Sequence, residues 1–251
     1  MDKYTIKTAF KKSFSGFVWN IEADTAAGIL AVETRDPETG IPAFSVIEYA
    51  TGSSLVHEKQ YGDRNWSLAG TLNNLLILRA WGQNTPEGAG IACLDATTGN
   101  LRWEQFNYTL VAIQSQQLVV RHRNFAGGYE QYLNLLNGDL TEKNKTPTQA
   151  EGAEITLPKR HIGNIPPFLQ DFSITGDLFF HPVDNRVAWA FHETAGSTYR
   201  VHLVISLEST LLAQQVVVSG LPKMVPELFF LIDHELFLIG DNKREIVAYL
   251  V

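Results

Sequence analysis

Short apolar runs bounded by turn residues, two landmarks that recur at one spacing, and the lack of any segment with a helical period predict an all-β chain. The spacing narrows the class to a β-propeller of about five four-stranded blades. One domain over residues 1–251, in a ring closed by the N-terminal strand, is expected.

The spacing is read directly from the residues. Phe44-Ser45-Val46-Ile47-Glu48-Tyr49-Ala50-Thr51-Gly52 matches Ile91-Ala92-Cys93-Leu94-Asp95-Ala96-Thr97-Thr98-Gly99, and Gly52 and Gly99 lie 47 positions apart. Trp19 and Trp66 are separated by the same 47. One offset shared by independent landmarks falls in the range of a four-stranded blade. Weaker copies stand at Tyr132-Leu133-Asn134-Leu135-Leu136-Asn137-Gly138 and at His202-Leu203-Val204-Ile205-Ser206-Leu207-Glu208-Ser209, with a partial one at Ile246-Val247-Ala248-Tyr249-Leu250-Val251. Each unit is a strand, a tight turn that needs positive φ at its glycine, and an outer strand.

A second apolar run precedes each copy, at residues 29–34, 75–81, 118–123, 187–191 and 236–239. These runs are too short for ordinary helices and end in Gly, Asn, Asp or Gln, as strands between turns do. The last copy stops at Val251, where an outer strand is due. Tyr4-Thr5-Ile6-Lys7-Thr8-Ala9-Phe10 alternates polar and apolar and is expected to supply that strand, which removes the open edges of the ring. An open sandwich is the alternative built from the same hairpins. Residues 142–171 carry Pro147, Pro158, Pro166 and Pro167 and read as one long loop.

Composition bounds the function. Hydrophobic residues make up 45% and charged residues 19% of 251, the balance of a folded globular chain. The net charge of −7 gives no global attraction to nucleic acid or to anionic membranes, and Lys143, Lys145, Lys159 and Arg160 read as a solvated loop. No apolar stretch approaches the roughly 18 residues of a membrane span. Residues 1–14 hold Lys3, Lys7, Lys11 and Lys12 without an apolar core segment, so a cytoplasmic protein is expected. The lone Cys93 excludes an intrachain disulfide and a cysteine-rich zinc site, and its apolar neighbours mark it as a core thiol. The seven histidines show no zinc-ligand spacing, and Gly88-Ala89-Gly90 and Gly127-Gly128 lack the context of a phosphate loop. No metal or cofactor is expected.

Leu94-Asp95-Ala96-Thr97-Thr98-Gly99-Asn100-Leu101-Arg102-Trp103 resembles blades of the quinoprotein-like propellers, in which an Asp-x-x-Thr-Gly turn leads to an outer strand carrying Trp. Asn137-Gly138 lacks the Thr and Glu208-Ser209 lacks the glycine, so the resemblance implies the fold and neither the quinone nor its calcium. Phe17-Val18-Trp19, Val32-Glu33-Thr34-Arg35-Asp36, Asn65-Trp66 and Gly90-Ile91 are similar to a bacterial family of about this size, a domain of unknown function. That resemblance implies the fold and no chemistry.

Superposing the second strands brings their ends into register: Glu33 and Arg35, Arg79 and Trp81, Arg121 and Arg123, His192 and Glu193, then Asp241. Propeller strand ends line one rim at the mouth of the channel, where ligands bind. Arginines, an aromatic and carboxylates there suit a small anionic ligand or a segment of a protein partner. The structural alternative is that Glu33, Arg35 and the arginines pair between neighbouring blades. Two further readings stand beside the binding module. One is a glycosidase-like hydrolase drawing on Asp36, Asp171, Glu193 and Asp241, and the other is an interaction scaffold using outer edges or the long loop.

Overall fold

The computed structural model describes every residue except 1–3, 82–89, 115, 125–128, 145–154, 227 and 241–242. Among the described residues the chain is all-β: twenty-one strands in five antiparallel sheets, with one 3₁₀ turn at Pro167–Leu169. It divides into a middle unit, Phe14–Glu154, and a terminal unit, Met1–Ser13 with Ile155–Val251. Strand β1 (Lys7–Ser13) belongs to the terminal unit.

The middle unit holds three four-stranded sheets whose strand order follows the chain. The first contains β2 (Phe17–Asp24), β3 (Ile29–Arg35), β4 (Pro42–Glu48) and β5 (Ser54–Gln60). The second contains β6 (Trp66–Leu72), β7 (Leu75–Ala80), β8 (Ile91–Asp95) and β9 (Leu101–Gln105). The third contains β10 (Tyr108–Ile113), β11 (Gln117–His122), β12 (Glu130–Asn134) and β13 (Leu140–Thr141).

The inner strands are apolar throughout because both of their faces are covered. Successive side chains of a strand point to opposite faces. In β7, Leu76 and Leu78 pack with Ile29, Ala31, Phe44 and Val46 of the first sheet, whereas Leu75 and Ile77 pack with Leu118, Val120, Leu133 and Leu135 of the third.

The repeated turn has one geometry. The N–H of Gly52, Gly99 and Gly138 donates to the carbonyl of Glu48, Asp95 and Asn134 at 2.8, 2.8 and 2.9 Å. Each glycine has φ between 69° and 74°, the left-handed region in which a side chain is strained. At Gly138 a Cβ would also come within 2.7 Å of the Trp103 ring, whose Nε1–H donates to Leu135 O at 3.0 Å. The outer-strand tryptophan thus locks the second sheet onto the turn of the third. A fourth copy closes the hairpin between β3 and β4, where Gly40 N–H donates to Asp36 O at 2.9 Å. Asp36-Pro37-Glu38-Thr39-Gly40 carries the same Asp-x-x-Thr-Gly pattern at a position outside the 47-residue period.

The terminal unit departs further from expectation. Its larger sheet has five strands: β14 (Lys159–Arg160), β15 (Ile174–Val183), β16 (Arg186–Ala195), β17 (Thr198–Leu207) and β18 (Thr210–Leu221). The stretch read as a loop over 142–171 therefore contains a strand and the 3₁₀ turn. Its aromatic residues explain why. Phe168, Leu169 and Phe172 pack on Leu178, Trp189, Phe191 and Val204, so burial holds in place a segment that its prolines mark as irregular. The turn after β17 does without glycine by placing exposed Glu208 at φ 51°.

The second sheet of this unit runs β1, β21 (Glu245–Leu250), β20 (Glu235–Ile239), β19 (Phe230–Ile232). The N-terminal strand supplies its outer member, pairing Lys7 with Leu250 through Ser13 with Glu245. It starts at Lys7 rather than Tyr4, and a bulge at Ala9 sets its register.

Candidate functional site

In the middle unit, β6 is the first strand of its sheet and has no strand on its free side. Its backbone groups there are met by side chains of the first sheet. Arg35 donates to the carbonyls of Arg64 and Trp66 at 2.6 Å each. Glu33 accepts from Leu68 N–H at 2.7 Å and Ser67 Oγ at 2.9 Å, and Asn20 donates to Leu68 O at 3.2 Å. Arg35 also donates to Glu33 Oε1 through Nε at 2.6 Å and to Gly40 O at 3.0 Å, and its Nη2 forms an ion pair with the same Glu33 oxygen at 2.6 Å. Glu33 is fully buried. These two residues stand in for a missing strand.

What remains outward is aromatic. Trp19 is the bulged residue of β2, with Ala69 and Val111 at the corresponding bulges of β6 and β10. A bulge re-aims its side chain, and Trp19 is 69% exposed with the face of Arg35 at 5.8 Å from its ring. Trp81 is 55% exposed, with Arg79 at 4.0 Å over its ring. The two indoles belong to one neighbourhood, because Arg35 bonds the carbonyls on either side of Asn65 while Asn65 O accepts from Trp81 N–H at 2.8 Å. Arg79 Nε is buried with no hydrogen-bond partner.

At the next strand end Arg123 N–H donates to Asn107 O at 2.9 Å, as Trp81 N–H does to Asn65 O. Arg121 faces Glu130 across the strand pair at 3.5 Å, with both side chains about half exposed.

Sequence reasoning missed Glu22. It lies between Asn20 and Asp24 on one face of β2; Asn20 bonds Leu68 O across to the second sheet, and Asp24 is bonded by Asn74 N–H at 3.4 Å. Glu22 takes only a long bond of 3.4 Å from Asn20. Burial pushes its pKa up, against the Asn20 bond and the charge of Arg79. The signal was available as polar residues at alternate positions 20, 22 and 24 of a strand.

In the terminal unit, His192 and Glu193 are neighbours on β16 and so point to opposite faces. His192 Nε2 accepts from Val225 N–H at 3.2 Å, and burial pushes its pKa down. Glu193 is bonded by Arg200 Nε at 2.7 Å and by His202 Nε2, and the Arg200 bond leads in holding its carboxyl below the usual range. The His202 ring stacks on Phe191, with centroids 5.1 Å apart. Asp241 lies outside the described residues.

A general acid needs a raised pKa, whereas Glu193 is a paired anion. Asp36 Oδ1 fills its own turn, accepting from the N–H groups of Glu38 and Thr39 and from Thr39 Oγ1. Asp171 is exposed. Among the described residues no group of three or more His, Cys, Asp or Glu side chains is placed to hold a metal ion.

No family model matches the chain, and no curated protein matches it. Among solved structures it is similar to BamB from Moraxella catarrhalis, at 10% identity and a TM-score of 0.35, covering 94% of this chain and 85% of that one. It is also similar to Saccharomyces cerevisiae Sqt1, at 10% identity and a TM-score of 0.26, covering 98% and 72%. At these TM-scores neither likeness bears on fold or function.

Proposed function

We propose that this chain is a non-catalytic binding module that holds an acidic segment of a partner protein on the Trp19 and Trp81 surface of its middle unit. The observation that carries the reading is the pair of outward tryptophans, each beneath a guanidinium, in a chain whose Trp66, Trp103 and Trp189 are all buried. Leaving most of an indole in water forgoes roughly 3 kcal/mol of burial each. Tryptophan and arginine are the side chains that most often dominate binding energy at protein interfaces. Arg64, Arg79, Arg121 and Arg123 belong to the same unit and favour carboxylates.

The reading of the five sheets as five blades of one domain, with β1 closing the ring, belongs to this proposal. Its support is the chain-order strand arrangement within the sheets and the pairing of β1 with β21.

The test is an array of acidic and neutral peptides probed with the wild-type chain and with Arg79→Ala and Trp81→Ala, with affinities measured by fluorescence anisotropy. Acidic binders that weaken at least tenfold in both variants support the proposal. Binders indifferent to both changes overturn it. A thermal shift with dicarboxylates or sugar phosphates that vanishes in Arg79→Ala would replace the protein segment with a small anion.

A further inference from the structure

Among the described residues every sheet ends in an edge strand, and the edges differ in how they are defended. Unpaired N–H and C=O groups along an edge are a template for another strand, and charged side chains or a short edge strand discourage pairing. Strand β5 carries Glu58 and Lys59, β9 carries Arg102 and Glu104, β1 carries Lys7, Lys11 and Lys12, and β13 is only two residues long. Strand β18 is different. Its twelve residues, Thr-Leu-Leu-Ala-Gln-Gln-Val-Val-Val-Ser-Gly-Leu, contain no Asp, Glu, Lys or Arg, and it is the longest strand among the described residues.

A cleft of about 600 Å³ is lined by Leu211, Leu212, Ala213, Gln214 and Gln215 of β18 together with Tyr4, Thr5 and Ile6. Consecutive residues of β18 border this cleft, and alternate side chains of a strand point to opposite faces. Bulges at Leu212 and Val217 bracket a regular run from Ala213 to Val216, paired on its inner side to Leu203, Val204, Ile205 and His202. Leu211, Gln214, Gln215 and Val216 are exposed.

We infer that the free edge of β18 takes an extended, uncharged segment of a partner protein as a sixth strand of its sheet. Main-chain hydrogen bonds supply the affinity of such an added strand, and pockets for alternate side chains supply its specificity. Strand β18 itself offers no charged side chain to pair with a charge on the incoming segment, which favours an uncharged one.

The test selects ten-residue peptides from a phage-displayed library on the full chain and measures the winners as synthetic peptides. The comparison protein is Leu211→Lys/Gln215→Lys, in which both changes fall at exposed positions, so the fold is kept. The expected result is a set of uncharged peptides that bind the wild type at least tenfold more tightly than the variant. They should also slow amide hydrogen exchange of the wild type within residues 211–215. Charged winners, no peptide that separates the two proteins, or protection confined to another segment overturns the inference. So does sedimentation showing a wild-type dimer that the variant abolishes, which would assign this edge to a second copy. The exchange readout needs no variant, so a misfolded variant leaves the inference open to refutation.

Discussion

Glu33→Ala is the most informative single change in the middle unit. The carboxylate is fully buried and takes bonds from Arg35, Ser67 and Leu68 N–H. Its removal strands a mostly buried guanidinium without a counter-ion and leaves Leu68 N–H and Ser67 Oγ without this acceptor. Breaking a buried ion pair from one side costs about 3–5 kcal/mol. For a chain of this size that is a fall in Tm of about 6–20 °C, and a large share of the roughly 5–15 kcal/mol that holds a domain together. Calorimetry and guanidinium unfolding followed by tryptophan fluorescence measure it. Glu33→Gln keeps the shape and one acceptor and is expected to lose less. With Arg35→Ala the pair should prove coupled, because each residue is the other's counter-ion. A Glu33→Ala cost below about 1 kcal/mol, the ordinary worth of an exposed pair, would refute the reasoning. So would a variant of unchanged stability that had lost peptide binding, since Glu33 would then belong to a recognition surface.

Further outcomes follow from the same geometry. Asp95 is held well below the usual carboxylate range, first by the Thr97 hydroxyl and then by Arg102. The folded state therefore stays ionised where the unfolded chain takes up a proton near pH 4, and Asp95 stabilises above that pH and progressively less as the pH falls below it. Asp95→Ala should cost about 1–2 kcal/mol near pH 6, with a gap that narrows under acid unfolding below pH 4; a gap of constant size from pH 6 to pH 2 would count against the turn network. Cys93 is fully buried, and burial pushes its thiol up to about 12. Ellman's reagent at pH 8 should find no reactive thiol in the native chain and one after denaturation, whereas prompt native reaction would place Cys93 outside the core. Glu208→Gly relieves a left-handed backbone in an exposed turn and should raise the unfolding free energy by up to about 1 kcal/mol, read as a higher denaturation midpoint at unchanged slope; a lower midpoint would show that the side chain supports the turn.

The parts of the fold that the sequence reveals are those with short-range causes. The alternation of β2 and the continuous apolar runs of β3, β7 and β11 follow from which faces are covered. The turns at Gly52, Gly99 and Gly138 follow from a backbone conformation that glycine alone adopts freely. The alternation of residues 4–10 likewise marks a strand, and that segment pairs with β21 from Lys7. Long-range causes were hidden. Residues 142–171 read as loop because proline and polar residues dominate, yet Phe168, Leu169 and Phe172 find a sheet face to cover only once β15, β16 and β17 exist. The candidate site divides the same way. Sequence placed Glu33, Arg35, Arg79 and Trp81 near strand ends, but it carries no record of where each donor points. Tertiary structure decided that Glu33 and Arg35 serve the bare edge of β6, that Trp19 turns outward on a bulge, and that Glu22 sits unbonded to the next sheet. A strand's pattern is set by its own period, whereas a hydrogen-bond partner is set by whichever backbone folding brings beside it.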